Sequence, residues 1–296
     1  MKLSIVTINY NNAEGLRKTL ASVASQTYKH IEHVIIDGGS TDGSVEAILE
    51  YVAACQSEKG NDSFFKHTIK WVSEKDNGIY HAMNKGIRKT SGSYIQILNS
   101  GDVLATSDVT ERMIKAIEEV ENPSILYGNM IRDFGNGKTN RDTCLGESRV
   151  KNGEQRAQKV EWTMDDFIKG TVNHDPTYIR ADLYKEYGLY DENLKIVSDW
   201  KWFVKAVVFG GEKLYYVPID VTIFDTTGIS ETNLSAREEE RKSELEKMLP
   251  TAILNDYKRY HFPVDQYKRL KRHHLWGLIY FLERVLFKLE KWKILK

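Results

Sequence analysis

Cysteine is nearly absent from this chain: only Cys55 and Cys144 occur in 296 residues. They lie far apart and match no metal or redox spacing. That scarcity excludes a disulfide scaffold and suits a reduced, cytosolic compartment with two inert thiols. Long apolar runs are missing too, since no stretch reaches the roughly 20 residues needed to span a bilayer. No basic n-region and apolar h-region precede the first strand pattern at Leu3, so export through a cleaved leader is not expected. Neither G-x-G-x-x-G nor G-x-x-x-x-G-K-[ST] occurs, which argues against dinucleotide oxidoreductases and P-loop enzymes. Net charge is zero overall but not locally. Residues 258–296 hold 11 Lys/Arg against 3 Asp/Glu, an excess of +8, so the remainder carries −8.

Ordinary apolar and charged fractions, 41% and 28%, allow a sizeable core and make disorder unexpected. Leu3–Ile8 reads as a buried strand, followed by Leu16, Leu20, Val23 and Ala24 at helical spacing with Asn11 or Asn12 as cap. Ile31–Asp37 is a second strand, and the next helix has Val45, Ile48, Leu49 and Val52 as its apolar stripe. Lys70–Ser73 and Tyr94–Leu98 read as strands, with helices over Ile79–Ile87 and Val109–Val120. This alternation predicts an α/β fold with a mainly parallel central sheet flanked by helices, and ligands at the carboxyl ends of the strands. Beyond Ile125–Asn129 and a hairpin tip at 134–138 the pattern loosens, and 141–159 reads as a mobile polar loop. Order returns with Thr177–Ile179, helices near Leu183–Tyr187 and over Trp200–Phe209, and a last strand at Leu214–Phe224.

Three acidic features stand at strand or helix ends. The turn from Asp37 to Gly43 offers glycines and a short carboxylate that can accept from a base or ribose; equally it is a tight turn capping the next helix. Asn99-Ser100-Gly101-Asp102 presents one carboxylate, which with diphosphate oxygens and waters can hold a hard divalent cation, or can cap the following helix. Asp199 sits at the mouth of the helix whose buried stripe is Trp200, Phe203, Val204, Val207 and Val208. A helix N-terminus favours its ionised form, whether it serves as N-cap or as proton acceptor. His174 reads as a hydrogen-bonded structural residue or as part of an acceptor site, and Asp191-Glu192 as a solvated loop pair.

At these residues the sequence resembles glycosyltransferase family 2, the inverting GT-A group of bacterial polysaccharide-type enzymes. The similar segments are Ser4–Asn11, Ser22–Tyr28, Asp37–Gly43, Glu74–Ile87 and Asn99–Asp102. The resemblance covers roughly residues 3–210 and implies the GT-A (nucleotide-diphospho-sugar transferase) fold over 1–230, with 231–296 as a C-terminal basic helical extension. It implies donor contacts at Thr7, Asn9, Tyr10, Asp37, Gly38, Asp76, Asn77, Gly78, Asn84, Ser100 and Gly101. Asp102 matches the metal carboxylate for Mn²⁺ or Mg²⁺, and Asp199 the catalytic base. His174 and Trp200 fall on the acceptor side. The chain departs from the family pattern where Gly38 follows Asp37 and where the metal motif retains a single Asp. The implied partners are a nucleotide-sugar donor, UDP-linked as a first guess, and a saccharide or lipid-linked acceptor. A sugar nucleotidyltransferase, or an inactive sugar-nucleotide binder, is the competing reading.

Leu275, Leu278, Ile279, Leu282, Val285, Leu286 and Leu289 recur on one helical face, with Lys268, Arg269, Lys271 and Arg272 ahead of them. This composition suits a helix lying in an anionic membrane surface, or one docked on protein. Peripheral placement on the inner face of the plasma membrane follows from the first alternative. Nucleic acid is not an expected partner, because the basic residues do not extend over the strand-end crevice.

Overall fold

The computed structural model of the chain describes residues 1–56, 67–135, 137–151, 153–226, 233–257, 259, 277, 280–282 and 284–286. The chain divides into two compact units, Met1–Glu240 and Arg241–Lys296.

Strand β1 (Leu3–Asn9) is buried along its whole length, as is β2 (Ile31–Asp37). Strands covered on both faces read as continuous apolar runs rather than alternating ones, which is why both were legible. They pair in parallel with each other, and further parallel pairings join β2 to β3 (Thr68–Ser73) and β1 to β4 (Tyr94–Ile97). Helices α1 (Ala13–Ala24), α2 (Ser44–Gln56) and α3 (Ile79–Lys89) connect them. Asn12 is the cap of α1, its Oδ1 accepting from the Gly15 N–H. In α2 the buried face is Ala47, Ile48 and Tyr51, whereas Leu49 is exposed. The apolar stripe therefore follows i, i+3, i+4 spacing through Ile48, and the expected inward role of Leu49 is corrected. Against the sheet, α3 packs closely: a Cβ added at Gly86 would lie 2.3 Å from Val6 Cγ1.

The second half of the sheet is mixed. After β5 (Val103–Leu104), α4 (Val109–Glu119), β6 (Ile125–Asp133) and β7 (Thr139–Asp142) come the short α5 (Gly146–Arg149), β8 (Gln158–Val160) and α6 (Met164–Lys169). Part of the stretch expected as a mobile loop thus carries regular structure. Strand β9 (Thr177–Arg180) then enters antiparallel between β4 and β6. Following α7 (Leu183–Glu186), α8 (Ser198–Phe203) continues as a π-helical segment, Val204–Phe209, capped by Gly210. Strand β10 (Leu214–Asp225) pairs in parallel with β6, with register shifts around Pro218, which has no N–H to give to a ladder. The order is β3-β2-β1-β4-β9-β6-β10-β5, with β7 on β6 and β8 on β10. Helix α9 (Leu234–Met248) follows.

Of the expected C-terminal amphipathic helix, 280–282 and 284–286 are helical, with Tyr280, Phe281, Leu282, Val285 and Leu286 exposed. Leu275, Leu278, Ile279, Leu289 and the Lys268–Arg272 cluster lie outside the described residues. No helix among the described residues is long and apolar enough to cross a membrane.

Candidate active site

The parallel strands β1, β2 and β4 end at Asn9, Asp37 and Ile97, where a crevice is expected. Asp37 is buried and its carboxylate is saturated. It accepts from Asn9 Nδ2 at 2.8 Å, the Ser40 hydroxyl at 2.5 Å, the Ser73 hydroxyl at 2.6 Å, and the N–H groups of Ser40 and Gly39 at 2.9 and 3.2 Å. Burial pushes this carboxyl up, but the hydroxyls and amides around it outweigh that and hold it below its ordinary range. A carboxylate offers about four lone-pair positions, so Asp37 builds the turn at the end of β2 and is occupied by Asn9, Gly39, Ser40 and Ser73.

The open groups of this end belong to its neighbours. Tyr10 is 68% exposed. A Cβ added at Gly38 would lie 3.1 Å from the Tyr10 ring and 3.5 Å from Asp76 Oδ2, so Tyr10, Gly38 and Asp76 converge. Asp76 Oδ1 meets His81 Nδ1 at 2.9 Å and Lys85 Nζ at 2.5 Å. Its Oδ2 is buried without a hydrogen-bond partner, as is Asn9 Oδ1. Unfilled acceptors of this kind are costly unless a ligand supplies the donor. Gly78 caps α3 at φ +116°, with Asn77 ahead of it on the surface.

Two expected donor contacts lie elsewhere. Thr7 is fully buried, with its hydroxyl 2.9 Å from Nε2 of buried His33. Asn84 clamps α3 to the segment before Asp199: its Nδ2 donates to Tyr190 O and Glu192 Oε1, and its Oδ1 accepts from the Tyr190 N–H. Residues two apart in a strand share a face, so Thr7 lies on the same face of β1 as Asn9 but one step back from the strand end, covered by His33. Asp191-Glu192 is likewise more than a solvated pair, because Asp191 also binds Lys201 at 2.8 Å.

The chemical end is a chain of polar groups. Ser100 and Gly101 form the loop after β4; Gly101 takes φ +107°, and its N–H donates to Thr19 Oγ1. Asp102 is only 3% exposed. Its Oδ1 accepts from the Asp225 N–H at 2.9 Å, and its carboxyl hydrogen-bonds that of Asp175. Burial, and then the charge of Asp175, drive Asp102 well above the ordinary carboxylate range. The Asp175 backbone is itself fixed by Gln96 Nε2 on β4, at 2.7 Å from its carbonyl. His174, one residue earlier, places Nδ1 3.1 Å from Asp199 Oδ2 and Nε2 3.3 Å from Asp175 Oδ1. Burial alone would discharge this imidazole, but the two carboxylates raise it to about 9. Asn99 Nδ2 stands 3.1 Å from Nε2, while Asn99 Oδ1 is buried without a hydrogen-bond partner.

Asp199, 15% exposed, ends the chain at the first turn of α8. Burial would raise it, but His174 and the start of the helix hold it below its ordinary range, and the Tyr80 hydroxyl donates to Oδ1 at 3.0 Å. Burial and the Asp199 charge push the Tyr80 phenol well up, so it stays neutral. Asp102 and Asp199 therefore meet in one cluster, joined by consecutive residues 175 and 174. Trp200, expected on the acceptor side, is a core residue with Nε1 donating to Phe167 O at 2.7 Å. The structural role of Tyr80 was not foreseen. Its signal was present, since Tyr80 and Asn84 are polar groups on the inward stripe of α3.

Asp102 offers little to the metal expected there: it is buried, and one of its oxygens already accepts the Asp225 N–H. Among the described residues, no group of three or more His, Cys, Asp or Glu side chains is set to hold a metal ion. The arrangement does offer the Asp199 carboxylate, with the His174 imidazole 3.1 Å away.

Residues 4–177 match the family described as Glycosyl transferase family 2. An uncharacterized glycosyltransferase of Mycobacterium tuberculosis, Rv1514c, is 30% identical over 234 residues, covering 77% of this chain and 76% of that protein. Among solved structures, S. aureus TarS 1–349 in complex with UDP-GlcNAc is similar with a TM-score of 0.60 at 18% identity, covering 78% of this chain and 61% of that one. The mannosyltransferase PcManGT of Pyrobaculum calidifontis, in complex with GDP-Man and Mn²⁺, gives 0.55 at 15% identity, covering 79% of this chain and 59% of that one. The chain thus spans about three fifths of these two solved chains, which share its GT-A fold. With more than half of its length matched, the chain belongs to glycosyl transferase family 2 and is a glycosyltransferase.

Proposed function

We propose that the protein moves one sugar from a nucleoside-diphosphate sugar to an acceptor hydroxyl, with inversion at the anomeric carbon. The observation that carries this reading is the ionised carboxylate of Asp199, oriented by Tyr80 and His174 and linked through Asp175 to the loop at the end of β4. Donor chemistry is supported by the neighbours, which bind UDP-GlcNAc and GDP-Man, and by the unfilled acceptors Asp76 Oδ2 and Asn9 Oδ1 beside Tyr10. A UDP-sugar is the first candidate.

In the reaction, the acceptor oxygen attacks the anomeric carbon and its proton passes to Asp199. The bond from that carbon to the diphosphate breaks, and the electron pair leaves with the diphosphate. His174 keeps Asp199 in place and ionised, and Tyr80 supplies the second hydrogen bond that fixes its plane. A Mg²⁺ or Mn²⁺ ion expected from the family would offset the charge on the leaving diphosphate, with Asp102 as the carboxylate nearest the end of β4.

A lipid-linked acceptor at an anionic membrane suits the basic C-terminal segment and its exposed Tyr280, Phe281 and Leu282, and cell-surface polysaccharide assembly is the setting such an acceptor implies. The test is diphosphonucleoside release from a panel of nucleotide sugars with saccharide and lipid-linked acceptors. Asp199→Ala should lose about 10²–10⁴ in turnover while keeping its affinity for nucleotide. Near-normal turnover in that variant would end the assignment, and binding without turnover in the unmodified protein would leave a sugar-nucleotide binder.

A further inference from the structure

Helix α9 lies beyond the matched residues 4–177, yet it reaches the base. The Glu240 carboxylate accepts from three consecutive backbone N–H groups: Lys195 at 2.7 Å on Oε1, then Ile196 at 2.8 Å and Val197 at 3.0 Å on Oε2. These residues lead directly into α8, whose second residue is Asp199. A carboxylate holding three amides at such distances fixes a turn far more tightly than a solvated side chain does.

The turn matters because of the Ile196 carbonyl. The Tyr80 hydroxyl stands 2.6 Å from Ile196 O and 3.0 Å from Asp199 Oδ1. A neutral phenol has one proton, so the two acceptors share it, and the nearer one takes the larger part. We infer that Glu240 is a positioning residue for Asp199: it pins the 195–197 turn, and with it Ile196 O, so that the Tyr80 hydroxyl is held between Ile196 O and Asp199 Oδ1 and the first turn of α8 keeps Asp199 in place. Releasing the turn frees both the Tyr80 hydroxyl and the start of α8, and Asp199 loses its fixed orientation. This role rests on the reading of Asp199 as the base.

The test uses the full chain with Glu240→Gln, which keeps the shape but replaces one accepting oxygen with an NH₂ group that faces amide donors. Amide hydrogen exchange should quicken at Lys195–Val197 while β1, β2 and β4 stay protected. Turnover, read as UDP or GDP release from UDP-GlcNAc or GDP-Man with acceptor, should fall about 10- to 100-fold in kcat with KM for the donor unchanged. Glu240→Asp, which keeps the charge on a shorter arm, should recover part of the loss. Faster exchange at 195–197 with full kcat would overturn the proposal, and so would unchanged exchange, or a fall that appears in KM alone. A fully active Asp199→Ala would instead remove the base itself, and the role of Glu240 with it.

Discussion

The proposed base, Asp199, stands in surroundings that oppose strong basicity, since the His174 imidazolium and the first turn of α8 both favour its ionised form. In that role its contribution comes from being held at the right place, a property that proximity rewards heavily. Asp102 has the opposite character, buried beside Asp175 and pushed well above the ordinary carboxylate range. Asp102→Asn preserves both hydrogen bonds, because an amide Oδ1 can accept from Asp225 N–H and its NH₂ can donate to Asp175. Turnover measured with and without added Mn²⁺ should stay within about threefold of the unmodified protein at either setting; a metal ligand would lose about 10-fold or more on the same change. His174 sets a pH dependence. Its folded value, about 9, lies above the ordinary imidazole value of 6.5. The stability it contributes is fully present below about 6.5 and is lost as pH rises through about 9. Thermal midpoints taken at several pH values between 6 and 10 should decline across that window, and His174→Asn should flatten the decline. Asp199 and His174 were legible as candidates because each stands at an element boundary beside other polar residues. That Asp37 is saturated was not, since Ser73 and Asn9 reach it from other strands.

The element that most constrains the site is α3. It lies against β1 closely enough that only a glycine fits at position 86, where a Cβ would meet Val6 Cγ1 at 2.3 Å. A β-branched valine in a central strand has little freedom to yield. Gly86→Ala should thus destabilise by about 1–3 kcal/mol in denaturant unfolding, although alanine is the better helix former by about 1 kcal/mol. An unchanged or higher midpoint would mean the helix can lift without cost. This packing also delivers Tyr80 to Asp199 and Asn84 to Tyr190. Helical periodicity announced α3 but not its partners, because inward-facing polar groups say only that something must satisfy them. The same limit applies to β10, where the register shift near Pro218 precedes Asp225, whose N–H holds Asp102.

At the level of the whole chain, the excess of +8 over 258–296 gives the last prediction. Protein truncated before Lys268 should lose co-flotation with anionic vesicles at about 0.1 M salt, where the Debye length is about 10 Å, while the full chain floats. Retained flotation would assign the membrane affinity, if any, to another surface. The parallel half of the sheet, the helices between its strands and the family were readable from residues alone, because continuous buried strands and 3.6-residue stripes are local patterns. The position of β9 was not. It lies between β4 and β6, antiparallel to both, and this placement carries His174 and Asp175 in between Asp102 and Asp199. Pairing between strands so distant in sequence leaves no periodic trace in the chain. Residue types and spacing therefore named the acids, while only the packed sheet decided which one is buried against a second carboxylate and which one is held by an imidazole and a phenol.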